Sequence, residues 1–133
     1  MYLQEFKIRN FRSIEKLDLI FHKGVNIIIG ENNSGKTAIT LERIGRIPMP
    51  IDLKVDYADG TSENFHIPLR MMNFIKPNPN PNAKRTVLED WAWAQSNYSF
   101  TIDKNKTAIK KITIDPSGLM ADVKAANNVF EVK

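Results

Sequence analysis

The hydropathy of this 133-residue chain changes period at a pair of prolines. Before them, a continuous apolar run, "VNIII" (Val25–Ile29), feeds a glycine-rich loop, and Ala38, Leu41 and Ile44 then recur at three-residue spacing. Such a run suits a strand buried on both faces, and the later spacing marks one face of a helix from Ser34 to about Ile44. Gly45 is a helix stop, and Pro48 and Pro50 lack the N–H that continuation needs. Beyond them Ile51, Leu53, Val55 and Tyr57 alternate with polar residues, the period of a half-buried strand. A chain of this length holds one ordinary domain or two incomplete ones. The expected division is 1–46 and 47–133.

Turn residues organise the second stretch. Asp59-Gly60 separates two alternating segments, the second carrying Phe65, Ile67 and Leu69, which is a hairpin signal. "KPNPNPNAK" (Lys76–Lys84) supports neither helix nor ladder and reads as an extended exposed spacer. Tyr98–Ile102, Ile109–Ile114 and Val129–Val132 are further strands, and residues 2–9 and 17–21 form two more at the start. The expected fold class is α+β, mostly β. A fragment of three strands, phosphate loop and helix precedes an antiparallel module resembling a β-sandwich.

Composition excludes several classes. No apolar run approaches the roughly 20 residues of a membrane span. The first residues lack an apolar stretch of signal type, so a cytoplasmic product is expected. Zero cysteines exclude disulfides and thiolate metal sites. The net charge of +4 is uneven: residues 1–46 hold eight Lys/Arg against five Asp/Glu, and 47–133 hold eleven against ten. The excess gathers in "KIRNFR", a strand able to meet phosphates or merely a solvated face.

Gly30-x-x-x-x-Gly35-Lys36-Thr37 matches the Walker A pattern in full. In that motif glycines let the backbone wrap closely, so that successive N–H groups at a helix head point at phosphates. Lys36 is placed to reach the β- and γ-phosphates, and the Thr37 hydroxyl to bind Mg²⁺ when nucleotide is present. From average composition, a chance match in a chain of this length is on the order of one in two hundred. A glycine turn by accident is therefore the weaker reading.

"FKIRNFRSIEKLDLIFHKGVNIIIGENNSGKT" resembles the N-terminal segment of the ABC-type ATPases of the RecF, OLD-nuclease and SMC group. The resemblance covers residues 1 to about 46. It implies that Gly30, Asn33, Ser34, Gly35, Lys36 and Thr37 bind ATP with magnesium, and that Asn10–Ser13 lie near the base. It also brings in DNA as a partner, on family grounds alone. The rest of that pattern is missing: no apolar strand ending in Asp-Glu, no signature loop and no switch histidine follow residue 46. Phosphoryl transfer needs these parts together, so binding without turnover is expected and no catalytic residue is assigned.

"MPIDLKVDYADGTSENFHIPLRMM", the aromatic series Trp91, Trp93, Tyr98 and Phe100, and "IDPSGLMADVKAANNVFE" resemble something different. They are similar to the C-terminal β-module of bacterial zinc aminopeptidases of the membrane alanyl aminopeptidase family. That module carries no zinc ligands, and the HExxH pattern is absent here. The two histidines, His22 and His66, read as solvent-facing or hydrogen-bonded strand residues. Trp91 and Trp93 read as packing, Met71-Met72 as core or loop filling, and Asp115, Asp122, Asn127 and Asn128 as turn and cap residues. No zinc site and no membrane contact are expected.

Three readings stand side by side. The chain is a nucleotide-binding fragment, a non-catalytic β-module with an unrelated leader, or a chimera joined near residues 45–50 with no selected activity. The partner chain that would complete an ATPase site is not named by the sequence.

Overall fold

The computed structural model describes residues 5–11, 14–20, 25–31, 35–45, 47–92, 94–121 and 128–132. In chain order the strands are β1 (Glu5–Phe11), β2 (Ile14–Ile20), β3 (Val25–Glu31), β4 (Thr37–Arg43), β5 (Ile51–Tyr57) and β6 (Ser62–Ile67). They continue as β7 (Arg85–Val87), β8 (Asn97–Ile102), β9 (Ile109–Ile114) and β10 (Val129–Glu131), with a short 3-10 turn at Lys106–Ala108. The protein is mostly β, as expected, and the described residues contain no α-helix.

β1 and β2 form an antiparallel pair in which Phe11 faces Ile14. A five-stranded sheet runs β10-β9-β5-β6-β7, and a three-stranded sheet runs β3-β4-β8. The expected hairpin closes at Asp59-Gly60. Gly60 adopts φ +83, the Thr61 N–H and hydroxyl both donate to Asp59, and Tyr57 accepts from the Gly60 N–H. Glycine suits this left-handed position because it carries no Cβ.

The core lies between the two larger sheets. β5 buries Ile51, Leu53, Val55 and Tyr57 on one face, meeting Phe65 and Ile67 of β6 and Ile109, Ile112 and Ile114 of β9. The opposite wall is built by Ile39 and Leu41 of β4 and Ile102 of β8. Aromatic rings join the walls: Phe65 lies 5.3 Å from Phe100, and Trp91 lies 5.5 Å from Tyr98. Trp91 is thus a packing residue, as its sequence context suggests. Trp93 is outside the described residues.

The helix expected over 34–44 is corrected to a strand: Thr37–Arg43 is the central member of its sheet. Thr37, Ile39 and Leu41 are buried while Ala38, Thr40 and Glu42 are half-buried. This is a period of two that the three-residue spacing of Ala38, Leu41 and Ile44 conceals. An isolated helix of about eleven residues is marginal in water and needs a packing partner. β8 instead offers an open ladder edge and an apolar face, and the β-branched Thr37, Ile39 and Thr40 suit that environment. Ile39 and Leu41 are both fully buried and contribute about 2 kcal/mol each through apolar burial. Strands from both sides of residue 46 therefore share one sheet and one core.

A polar cluster organises the other face of the five-stranded sheet. Asp52 of β5 accepts from His66 at 2.7 Å and from Lys76 at 2.7 Å, with the Arg85 guanidinium 3.9 Å away. Arg85 also donates to the carbonyls of Lys76 and Pro77. These bonds pin both ends of the proline–asparagine tract, whose interior is held by Asn78 donating to the Ala83 carbonyl. The tract is the crossover that sets β7 parallel to β6.

Two predictions follow from this packing. Ile39→Ala should cost about 2–4 kcal/mol in urea unfolding, while Ile44→Ala costs under about 1 kcal/mol; equal costs would restore a helical face. Burial alone raises the Asp52 carboxyl, but hydrogen bonds and charge from Lys76 and His66 outweigh it, so its pKa falls below the ordinary 3.8. Stability from Asp52 is therefore complete above that ordinary value and is lost as pH falls through the lower folded value. Asp52→Asn should cost about 2–4 kcal/mol at neutral pH and flatten the acid limb of a Trp-fluorescence titration. An unchanged acid limb would show that other carboxylates control it.

Candidate functional site

The described residues of the phosphate-loop motif belong to the antiparallel strands β3 and β4 or lie just before β4. Gly30 pairs with Ala38 and Glu31 with Thr37 across β3 and β4. Gly35 takes φ +73, the left-handed region that glycine fills without strain. Asn33 and Ser34 are outside the described residues.

The turn between β8 and β9 packs against Gly35, Lys36 and Thr37. Lys36 pairs with Asp103 at 2.7 Å. The Thr37 hydroxyl donates to the Lys104 carbonyl at 2.7 Å, and Thr37 is fully buried. A Cβ on Gly35 would stand 3.2 Å from the Asn105 side-chain oxygen, so that turn lies close on the glycine. Lys104 in turn reaches Asp59 at 3.4 Å and stacks 3.9 Å from the centre of the Tyr57 ring. Burial pushes the Tyr57 hydroxyl well up, and its bond to Glu63 adds to the shift, so it stays a neutral donor.

The energies of these contacts differ. Lys36 and Asp103 are largely exposed, and exposed pairs of this kind add little. The firm part is β4 itself, hydrogen-bonded on one side to β3 and on the other to β8. Its backbone N–H and carbonyl groups serve two ladders, whereas a phosphate cradle takes them from a helix head. Among the described motif residues, Gly35 and Lys36 are at the surface and Thr37 is turned inward.

Sequence reasoning missed Asp103, Lys104 and Asn105. "DKNKT" reads as a polar turn, and only the register Thr37↔Ile102 brings it to the motif. The remaining candidates resolve as follows. His66 is hydrogen-bonded and buried, the second of its two expected roles, and His22 is outside the described residues. Met71 and Met72 are corrected from filling to exposed: the chain there leaves the sheet after Leu69 in a turn, the Met72 N–H donating to the Leu69 carbonyl. Asp115 does turn duty, accepting from Ser117, Leu119 and Met120 at a φ of 48. Among the described residues no group of three or more His, Cys, Asp or Glu is placed to hold a metal ion. No described helix is long and apolar enough to cross a membrane.

Comparison with known proteins agrees with the motif. Residues 1–42 match the family model described as an AAA ATPase domain. The DNA replication and repair protein RecF of Streptococcus suis (strain 05ZYH33) is 46% identical over 39 residues, 29% of this chain and 11% of the relative. RecF of Bacillus thuringiensis (strain Al Hakam) is 51% identical over 37 residues, 28% of this chain and 10% of the relative. The N-terminal third thus carries a Walker A-like segment similar to RecF and other AAA ATPases. The chain spans about a tenth of the length of these curated relatives. No solved structure matches it.

Proposed function

We propose that residues 1–46 are a nucleotide-binding piece of a RecF-like ATPase, joined to a β-module at 47–133 that resembles the tail of a zinc aminopeptidase. Gly30, Asn33, Ser34, Gly35, Lys36 and Thr37 hold the phosphates of ATP, with Thr37 on the magnesium ion. The observation that carries the proposal is the complete "GENNSGKT" inside the 42-residue AAA ATPase match. Lys36 supplies a mobile charge for the β- and γ-phosphates, and the glycines supply close approach. Hydrolysis does not follow, because the chain holds no apolar strand ending in Asp-Glu to orient water and magnesium. The RecF proteins are named for DNA replication and repair. For this chain, DNA contact rests on that likeness and on the basic "KIRNFR" run.

A second reading is favoured by a specific observation. β4 is built into the wall of the β-sandwich, and the turn at Asp103–Asn105 engages Lys36 and Thr37. A structural or interaction β-module that has absorbed an ATPase leader would use the segment in this way.

Titration with Mg-ATP beside phosphate release separates the two. Binding is expected between about high micromolar and millimolar Kd, well short of a complete site. Lys36→Ala should abolish it without altering the fold, and phosphate release should stay at background in both proteins. Binding that survives Lys36→Ala would make the loop a structural hairpin only. Release lost in Lys36→Ala would reveal a catalytic group contributed by a second chain.

A further inference from the structure

We infer that Thr37–Arg43 is a switch segment: its pairing as β4 closes the phosphate site, and nucleotide phosphate binds only when this strand leaves β8. The inference rests on the nucleotide-binding reading above and concerns the regulation of Lys36 and Thr37 within it. Three observations carry it. The segment fits two incompatible patterns, buried Thr37, Ile39 and Leu41 for a strand and apolar Ala38, Leu41 and Ile44 for a helix, with Leu41 common to both. As β4 it is paired along both edges, Thr37 through Arg43 to β3 and Thr37 through Glu42 to β8. Thr37, the one strand residue that belongs to the motif, is thus held in a strand between two neighbours and not at a helix head. The two side chains that the motif aims at phosphate and magnesium are taken as well, Lys36 by Asp103 and the Thr37 hydroxyl by the Lys104 carbonyl.

Asp103 occupies, for Lys36, the role of a phosphate oxygen: an anionic acceptor at 2.7 Å. A triphosphate offers Lys36 more charge than one carboxylate, so ligand and turn compete for the same cation. The greater cost of opening is withdrawal of Ile39 and Leu41 from the core. A protein whose competent state is rarely populated shows an affinity lowered by that population, and two buried aliphatic side chains correspond to about a thousandfold.

Thr40 and Ser99 face each other across β4 and β8, their hydroxyls 2.8 Å apart at the surface. The chain has no cysteine, so Thr40→Cys with Ser99→Cys introduces a single lockable pair. Mg-ATP titration of this double variant should give wild-type affinity when reduced and at least tenfold weaker binding when oxidised. Ile39→Ala, at a position that only the strand pattern buries, loosens the same strand and should tighten apparent binding about tenfold. Carbon chemical shifts of residues 37–43 should move from strand to helix values at saturating Mg-ATP. Equal binding by oxidised and reduced protein, with Lys36→Ala still abolishing it, would overturn the switch and leave the nucleotide reading standing. Absence of binding in wild type, the reduced pair and Ile39→Ala alike would remove the nucleotide reading, and the switch with it.

Discussion

Ile39 and Leu41 hold the three-stranded sheet to the rest of the molecule. Both are fully buried, and both lie on the strand between β3 and β8. Without them β3 has no neighbour among the described strands, and β8 loses the partner that aligns Tyr98 and Phe100 toward Trp91 and Phe65. The register that sets Glu31 opposite Thr37 belongs to the same packing. Apolar burial, more than any surface ion pair, therefore decides where the phosphate-loop residues lie.

The second constraint is electrostatic and sits on the opposite face of the five-stranded sheet. A single carboxylate, Asp52, gathers His66, Lys76 and Arg85, and through them anchors a long crossover rich in proline and asparagine. A tract without regular structure loses much conformational entropy when ordered. Charge-assisted bonds at its ends offset part of that loss at few points of contact. This allows β7 to run parallel beside β6 although no helix makes the crossover.

The motif illustrates how local chemistry can serve two structures. Glycine at position 35 fits the left-handed turn of a hairpin as well as the close approach to a phosphate. Asparagine, serine and glycine between two apolar segments are turn formers in either setting. The likeness to RecF covers 37–39 residues, and the strands packed around Gly35, Lys36 and Thr37 set the conformation in which those three are presented.

Strand positions in the second stretch were legible because period-two burial is a local property: Ile51, Leu53, Val55 and Tyr57 alternate in sequence and in burial. The Asp59-Gly60 turn and the caps of Asp115 were legible for the same reason, being made within a few residues. β7 was not, since three residues of a parallel edge leave no periodic trace. The phosphate-loop motif is likewise written in the chain, residue by residue, and with it the likeness to an ATPase. Sequence alone determined the mostly β class, the turns and the identity of the motif. Whether Thr37–Arg43 becomes helix or strand was decided only by tertiary structure, because its own pattern permits both and the apolar edge of β8 is available only after the chain has folded back.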